Sequence, residues 1–143
     1  MDLQEARNVF EEIRSSLPSL KIEPYPQNLN VEVGILIPVQ NGLHFPIQLY
    51  LTADELHMTA GNGFWLEWFP ATDAKVIEDY RVAAVGLLSG QYRILEYLRG
   101  HRLVKAQLQR PSGIKWRTVG TWFGTSWWVP WGSRARNVLQ VTS

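Results

Sequence analysis

Asp54, Glu55 and His57 stand close together in the stretch TADELHM, residues 52–58, and acid–base chemistry needs such a set of carboxylates beside an imidazole. The pattern around them is a strand entered from a turn. Asp54 is expected at the turn, where its carboxylate can hold the backbone, and Glu55 and His57 are expected on one sheet face turned to solvent. That arrangement predicts structural and surface roles rather than catalysis. The histidines, His44, His57 and His101, are read without a local metal-binding partner, so no metal and no cofactor is expected. Cysteine is absent, which removes thiolate nucleophiles, thiolate metal sites and disulfides. No G-x-S-x-G elbow, phosphate-binding glycine loop or H-E-x-x-H helix occurs, and the chain is read as non-enzymatic.

Glu96 is the only acid from position 91 onward and shares a strand face with Tyr92, Ile94 and Leu98. If that face points inward the carboxylate needs a cation, and Arg102 or Arg110 on the neighbouring strand are the candidates for a buried ion pair. A perturbed carboxylate of this kind can also mark a small-ligand pocket or an enzyme site, with a tyrosine as second polar group.

The densest constellation lies at the C-terminal end. Residues 91–143 carry nine Lys/Arg and five of the seven tryptophans. Cations interleaved with flat rings can serve as the hot spots of a protein interface. They can equally hold a phosphate backbone while bases stack, which is single-stranded nucleic-acid binding. Trp116, Thr118, Gly120 and Trp122 alternate on one strand face, which assigns Trp116 and Trp122 to the core. Trp127 and Trp128 are adjacent, so an extended backbone sends them to opposite sides, and Pro130 directs Trp131 away from regular pairing. The expected contact set is therefore Trp127, Trp128, Trp131, Arg134, Arg136, Lys115 and Arg117.

Net charge is +1, yet residues 1–70 hold three Lys/Arg against nine Asp/Glu, and the remainder holds eleven against four. Such asymmetry suits a protein partner with an acidic patch, nucleic acid, or association of the chain with itself. The near-neutral total disfavours a dedicated nucleic-acid module. No apolar stretch approaches the ~20 residues that span a bilayer. The N-terminus is acidic and amphipathic where an export signal is basic and then apolar, so a cytoplasmic location is expected.

The elements that position these residues follow from periodicity. Leu3, Ala6, Val9, Phe10, Ile13 and Leu17 recur at helical spacing behind Asp2, and Pro18 ends that helix. A proline-rich connection follows. Val31 to Ile37, Phe45 to Leu51, Leu56 to Ala60 and Phe64 to Phe69 alternate as strands, with Asn41-Gly42 as a hairpin turn, and form a four-strand antiparallel meander. Thr72 or Asp73 caps a second helix that runs to about Ser89, with Val76, Tyr80, Ala83, Ala84, Leu87 and Leu88 on its apolar stripe. A hairpin over residues 92–109 with its tip at 99–101, a turn at RPSG and a strand over 115–123 complete the pattern. The tail SRARNVLQV reads equally as helix or strand.

The expectation is one α+β domain over residues 1–143: N-terminal helix, antiparallel meander, second helix, then a hairpin and further strands. That order is similar to the order found in small adaptor, effector-chaperone and toxin-neutralising proteins, an analogy of fold that carries little about function; the basic, aromatic surface near the C-terminus is what predicts an intracellular protein-binding module.

Overall fold

The computed structural model describes residues 1–27, 30–61, 63–124 and, for the backbone alone, 135–137. Helix α1 runs Leu3–Ser15 and opens on a reciprocal cap. The Asp2 carboxylate accepts the Glu5 N–H at 2.8 Å, and the Glu5 carboxylate accepts the Asp2 N–H at 3.2 Å. Two donors that a helix start would leave orphaned are thereby satisfied. Ala6, Val9, Phe10 and Ile13 form its buried stripe.

Strands β1 (Glu23–Pro24), β2 (Val33–Ile37), β3 (Ile47–Thr52), β4 (Glu55–Ala60) and β5 (Phe64–Trp68) make one antiparallel sheet in chain order. The meander therefore has a fifth strand, inside the segment whose prolines predicted a plain connection. Two residues carry no periodicity, and here pairing is tertiary: Glu23 opposes Leu36, and the Gln40 amide clamps the Lys21 backbone with two bonds of 3.0 Å. Pro24 is tolerated because β1 is a sheet edge. The Asn41-Gly42 turn is present, with Gly42 at φ 85° between Gln40 and Leu43, which exchange backbone bonds. It closes a longer loop than a two-residue hairpin, so Phe45 precedes β3 and is not part of it.

Helix α2, Ala74–Leu88, lies across this sheet, capped by Asp73 accepting the Lys75 N–H at 2.8 Å. Tyr80 joins the layers. Its fully buried ring stands edge-on to Phe10 of α1 and to Trp68 of β5, and its hydroxyl donates to the His57 carbonyl of β4 at 2.7 Å. Burial pushes this phenol well above its ordinary value, so it remains a neutral donor. The opposite side of α2 carries the ion pairs Lys75–Asp79 and Arg81–Glu78.

The second sheet contains β6 (Arg93–Arg99), β7 (Arg102–Ser112), β8 (Lys115–Phe123) and β9 (Ala135–Asn137), in the order β8-β7-β6-β9. Of the tail, the described residues Ala135–Asn137 are a strand. The turn before β8 falls at Gly113-Ile114, later than RPSG suggests, because β7 continues through Pro111, which opposes Trp116. Ile94, Ala106 and Leu108 join the core built by the first sheet and both helices. Where β8 crosses β5, the Leu66 side chain lies against Gly120, at which an added Cβ would sit 2.9 Å from it.

Candidate functional site

An irregularity in β8 decides which residues the second sheet presents. Ala106 opposes Trp122 and Leu108 opposes Gly120, but Gln109 opposes Thr118, so Val119 is an extra residue against β7. A one-residue bulge sends the side chains beyond it to the other face. Trp122 stays half-buried against the core, as the alternation predicted. Trp116, assigned to the core by the same alternation, is instead 41% exposed on the outer face.

On that outer face the Arg93 guanidinium sits 4.1 Å from the centroid of the Trp116 ring. Arg93 Nε donates to Gln109 Oε1 at 2.8 Å, and Gln109 Nε2 donates to Thr118 Oγ1 at 3.3 Å, a polar rung across three strands. A second group follows along the strands. Lys105 Nζ lies 4.9 Å from the Tyr97 ring and 5.7 Å from that of Phe123. Neither Arg93 nor Lys105 has a carboxylate within ion-pair distance among the described residues. The face therefore combines exposed rings with cations whose charge no acid among the described residues offsets.

Of the contact residues expected from sequence, Lys115 and Arg117 are exposed on β8, but they alternate with Trp116 and so lie on the opposite face of the strand, where Arg117 lines a cleft with Trp68 and Asp79. Trp127, Trp128, Trp131 and Arg134 lie outside the described residues, and for Arg136 only the backbone in β9 is described. Glu96 is half-buried, and its cross-strand neighbours are Ala106 and Arg136. Arg102 opposes Arg99 at the hairpin end and Arg110 opposes Arg117. Each is four positions along β7 from Ala106, about 13 Å of strand. The register thus sets Glu96 across from Arg136, not from the two arginines the sequence offered. Glu96 borders a cleft of about 420 Å³ between the sheets, with Phe45, Phe64, Leu98 and the imidazoles of His44 and His101.

The outer face of the first sheet holds a different cluster. His57, expected at the solvent surface, is 5% exposed. Tyr50 stacks on it with centroids 4.9 Å apart and planes within 9°. The Trp65 indole N–H donates to His57 Nδ1 at 2.8 Å, with the planes of the two rings nearly parallel at 6°. Tyr25 packs against Tyr50 at 5.2 Å, passing over β2 at Gly34, where a Cβ would fall 2.5 Å from the Leu49 carbonyl and 2.6 Å from Tyr50 Cβ. Burial, and then the neighbouring Tyr25, push the Tyr50 phenol up.

Glu67 opposes His57 in register, and Glu55 precedes it by two on the same strand. One oxygen of each carboxylate and a His57 ring nitrogen all lie within 4.8 Å of one another. Glu55 Oε2 is 3.2 Å from His57 Nε2, at an angle that makes no hydrogen bond, so this buried nitrogen has no hydrogen-bond partner. Asp54 stays apart: Ala71 N–H bonds its backbone carbonyl at 2.9 Å, and one of its carboxylate oxygens is buried without a hydrogen-bond partner rather than holding the turn. The i, i+2 spacing of Glu55 and His57 was the legible half of the cluster. Glu67 was not legible, because only the β4–β5 register brings it there.

Among the described residues, the fold is an α+β arrangement of two antiparallel sheets and two helices. Comparison of the chain with known protein families, with curated proteins and with solved structures finds no match.

Proposed function

We infer that the chain is a binding module that engages an acidic segment of a protein partner through the outer face of β6–β8. The supporting observation is the pair of cations Arg93 and Lys105, seated on the rings of Trp116, Tyr97 and Phe123 with no carboxylate beside them among the described residues. Such a surface offers aromatic area at low entropic cost together with charge that a partner's carboxylates can satisfy. Gln107 and Thr121 supply polar groups between the rings.

The test is affinity capture at low and moderate salt, with and without nuclease, using the wild type and the double variant Arg93→Glu/Lys105→Glu. The reading expects a protein captured by the wild type, insensitive to nuclease and lost with the variant. Recovery that vanishes with nuclease and falls steeply with salt identifies single-stranded nucleic acid instead. Equal capture by both forms removes this face from the account.

A further inference from the structure

We propose that Glu55, His57 and Glu67 form a binding site for a divalent transition-metal ion on the outer face of the first sheet. Glu55 and His57 project to one side of β4 because strand side chains repeat every second residue, and Glu67 reaches the same point from β5 because it is the cross-strand partner of His57. Nitrogen and oxygen ligands around a tetrahedral zinc ion, at about 2.0–2.2 Å from it, lie about 3.3 Å from one another. The donor atoms here span no more than 4.8 Å, and the Glu55–His57 edge is already 3.2 Å. Only the Glu67 carboxylate, on an exposed side chain, has to rotate inward.

The His57 imidazole is buried and poorly satisfied. Nε2 of His57 lies 3.2 Å from a Glu55 carboxylate oxygen, is screened from water and has no hydrogen-bond partner. A buried polar atom left in this state costs free energy that an ion would recover. The ring is also held in place: Tyr50 covers one face, and the Tyr80 hydroxyl secures the His57 carbonyl. Carboxylate and imidazole donors suit zinc, cobalt or manganese, and three protein ligands leave a coordination position for water.

The Trp65 bond makes the proposal sharper. A neutral imidazole has one N–H and one lone pair, and an indole N–H only donates. Since Trp65 donates to Nδ1, the ion-free neutral ring carries its hydrogen on Nε2. An ion at Nε2 needs that lone pair, so the ring hydrogen moves to Nδ1, where it faces the indole N–H and displaces Trp65. Trp65 is 44% exposed and has room to turn. Metal binding and the Trp65–His57 bond are therefore mutually exclusive, and removing the indole N–H must favour the ion.

The experiment titrates the protein with zinc chloride by calorimetry and follows the tryptophan indole N–H resonances by NMR, with Trp65→Phe identifying the Trp65 signal. One ion bound at this site predicts that Glu55→Gln and Glu67→Gln each weaken binding by about ten-fold or more. Trp65→Phe should strengthen it by about five-fold, the worth of one hydrogen bond. The Trp65 resonance should shift as zinc saturates. Both glutamates are at least partly exposed, so these variants keep the fold, which an unchanged melting temperature in chelator verifies. Zinc binding that is absent, or that is indifferent to both glutamine substitutions, overturns the proposal. So does a Trp65 resonance that stays in place at saturation.

Discussion

The Arg93 guanidinium lies 4.1 Å from the centroid of the Trp116 ring, and this contact between β6 and β8 exists because of one extra residue, Val119. Without the bulge, Trp116 would share the inward face with Trp122. With it, Trp122 packs on the core while Trp116 and Thr118 reach the polar rung that Arg93 and Gln109 build.

Deleting Val119 should therefore restore continuous alternation and turn Trp116 inward. The expected result is a lower melting temperature together with loss of partner capture, since Trp116 leaves the outer face and no longer meets Arg93. Retained binding with native stability would show that the bulge does not control this surface.

Trp116→Ala should separate binding from stability. The ring is exposed and its cation–π contact contributes about 0.5–1 kcal/mol, so urea unfolding should change by no more than that. Partner affinity should fall about ten-fold or more if the ring is a central contact of the interface. A loss of stability above ~2 kcal/mol would instead make Trp116 a packing residue.

Tyr80→Phe removes the hydroxyl that ties α2 to the His57 carbonyl and should cost about 0.5–1.5 kcal/mol near neutral pH. The alkaline limb should also change. Burial raises the phenol above its unfolded value of about 10, so the stability it contributes is complete below that value and is lost as pH rises toward the folded one. Tyr50, raised in the same direction, remains in both proteins. Stability measured from pH 8 to 11 should fall less steeply in Tyr80→Phe than in the wild type.

Gly34→Ala should destabilise strongly although Gly34 lies in a strand. The new methyl would meet the Leu49 carbonyl at 2.5 Å and Tyr50 Cβ at 2.6 Å, and neither can withdraw without opening the β2–β3 ladder. Overpacking of this kind costs typically 1–3 kcal/mol. The stacking of Tyr50 on His57 should be disturbed with it, visible as a shift of the His57 ring resonances. An unfolding midpoint equal to wild type would mean that β2 moves more freely than its pairing implies.

Much of the fold was legible because it rests on local chemistry. Asp2 with Glu5 three residues later announces α1, Asp73 announces α2, and the alternation of Leu56, Met58 and Ala60 against His57 and Thr59 announces β4. The prolines that argued against a strand at β1 were misleading, because the edge position and the Gln40 clamp are not local properties. The candidate sites were legible only in part. Glu55 and His57 could be placed on one face, and the basic, aromatic character of the last third of the chain was plain in composition. Trp116 was assigned to the wrong face, since the shift of register that exposes it is set by pairing with β7. His57 was placed in water, since the rings that cover it come from β3 and β5.

By itself the sequence determined both helices and the order of strands β2 to β8, the opposed charges of the two halves and the faces on which most side chains begin, because period and capping act over a few residues. The tertiary structure alone decided which residues are brought together: Glu67 at His57, Arg93 on Trp116, and the backbone of Arg136 in register with Glu96. Those meetings depend on strand register and on a single bulge, and a one-residue slip in either leaves the local pattern intact while exchanging every contact across the sheet.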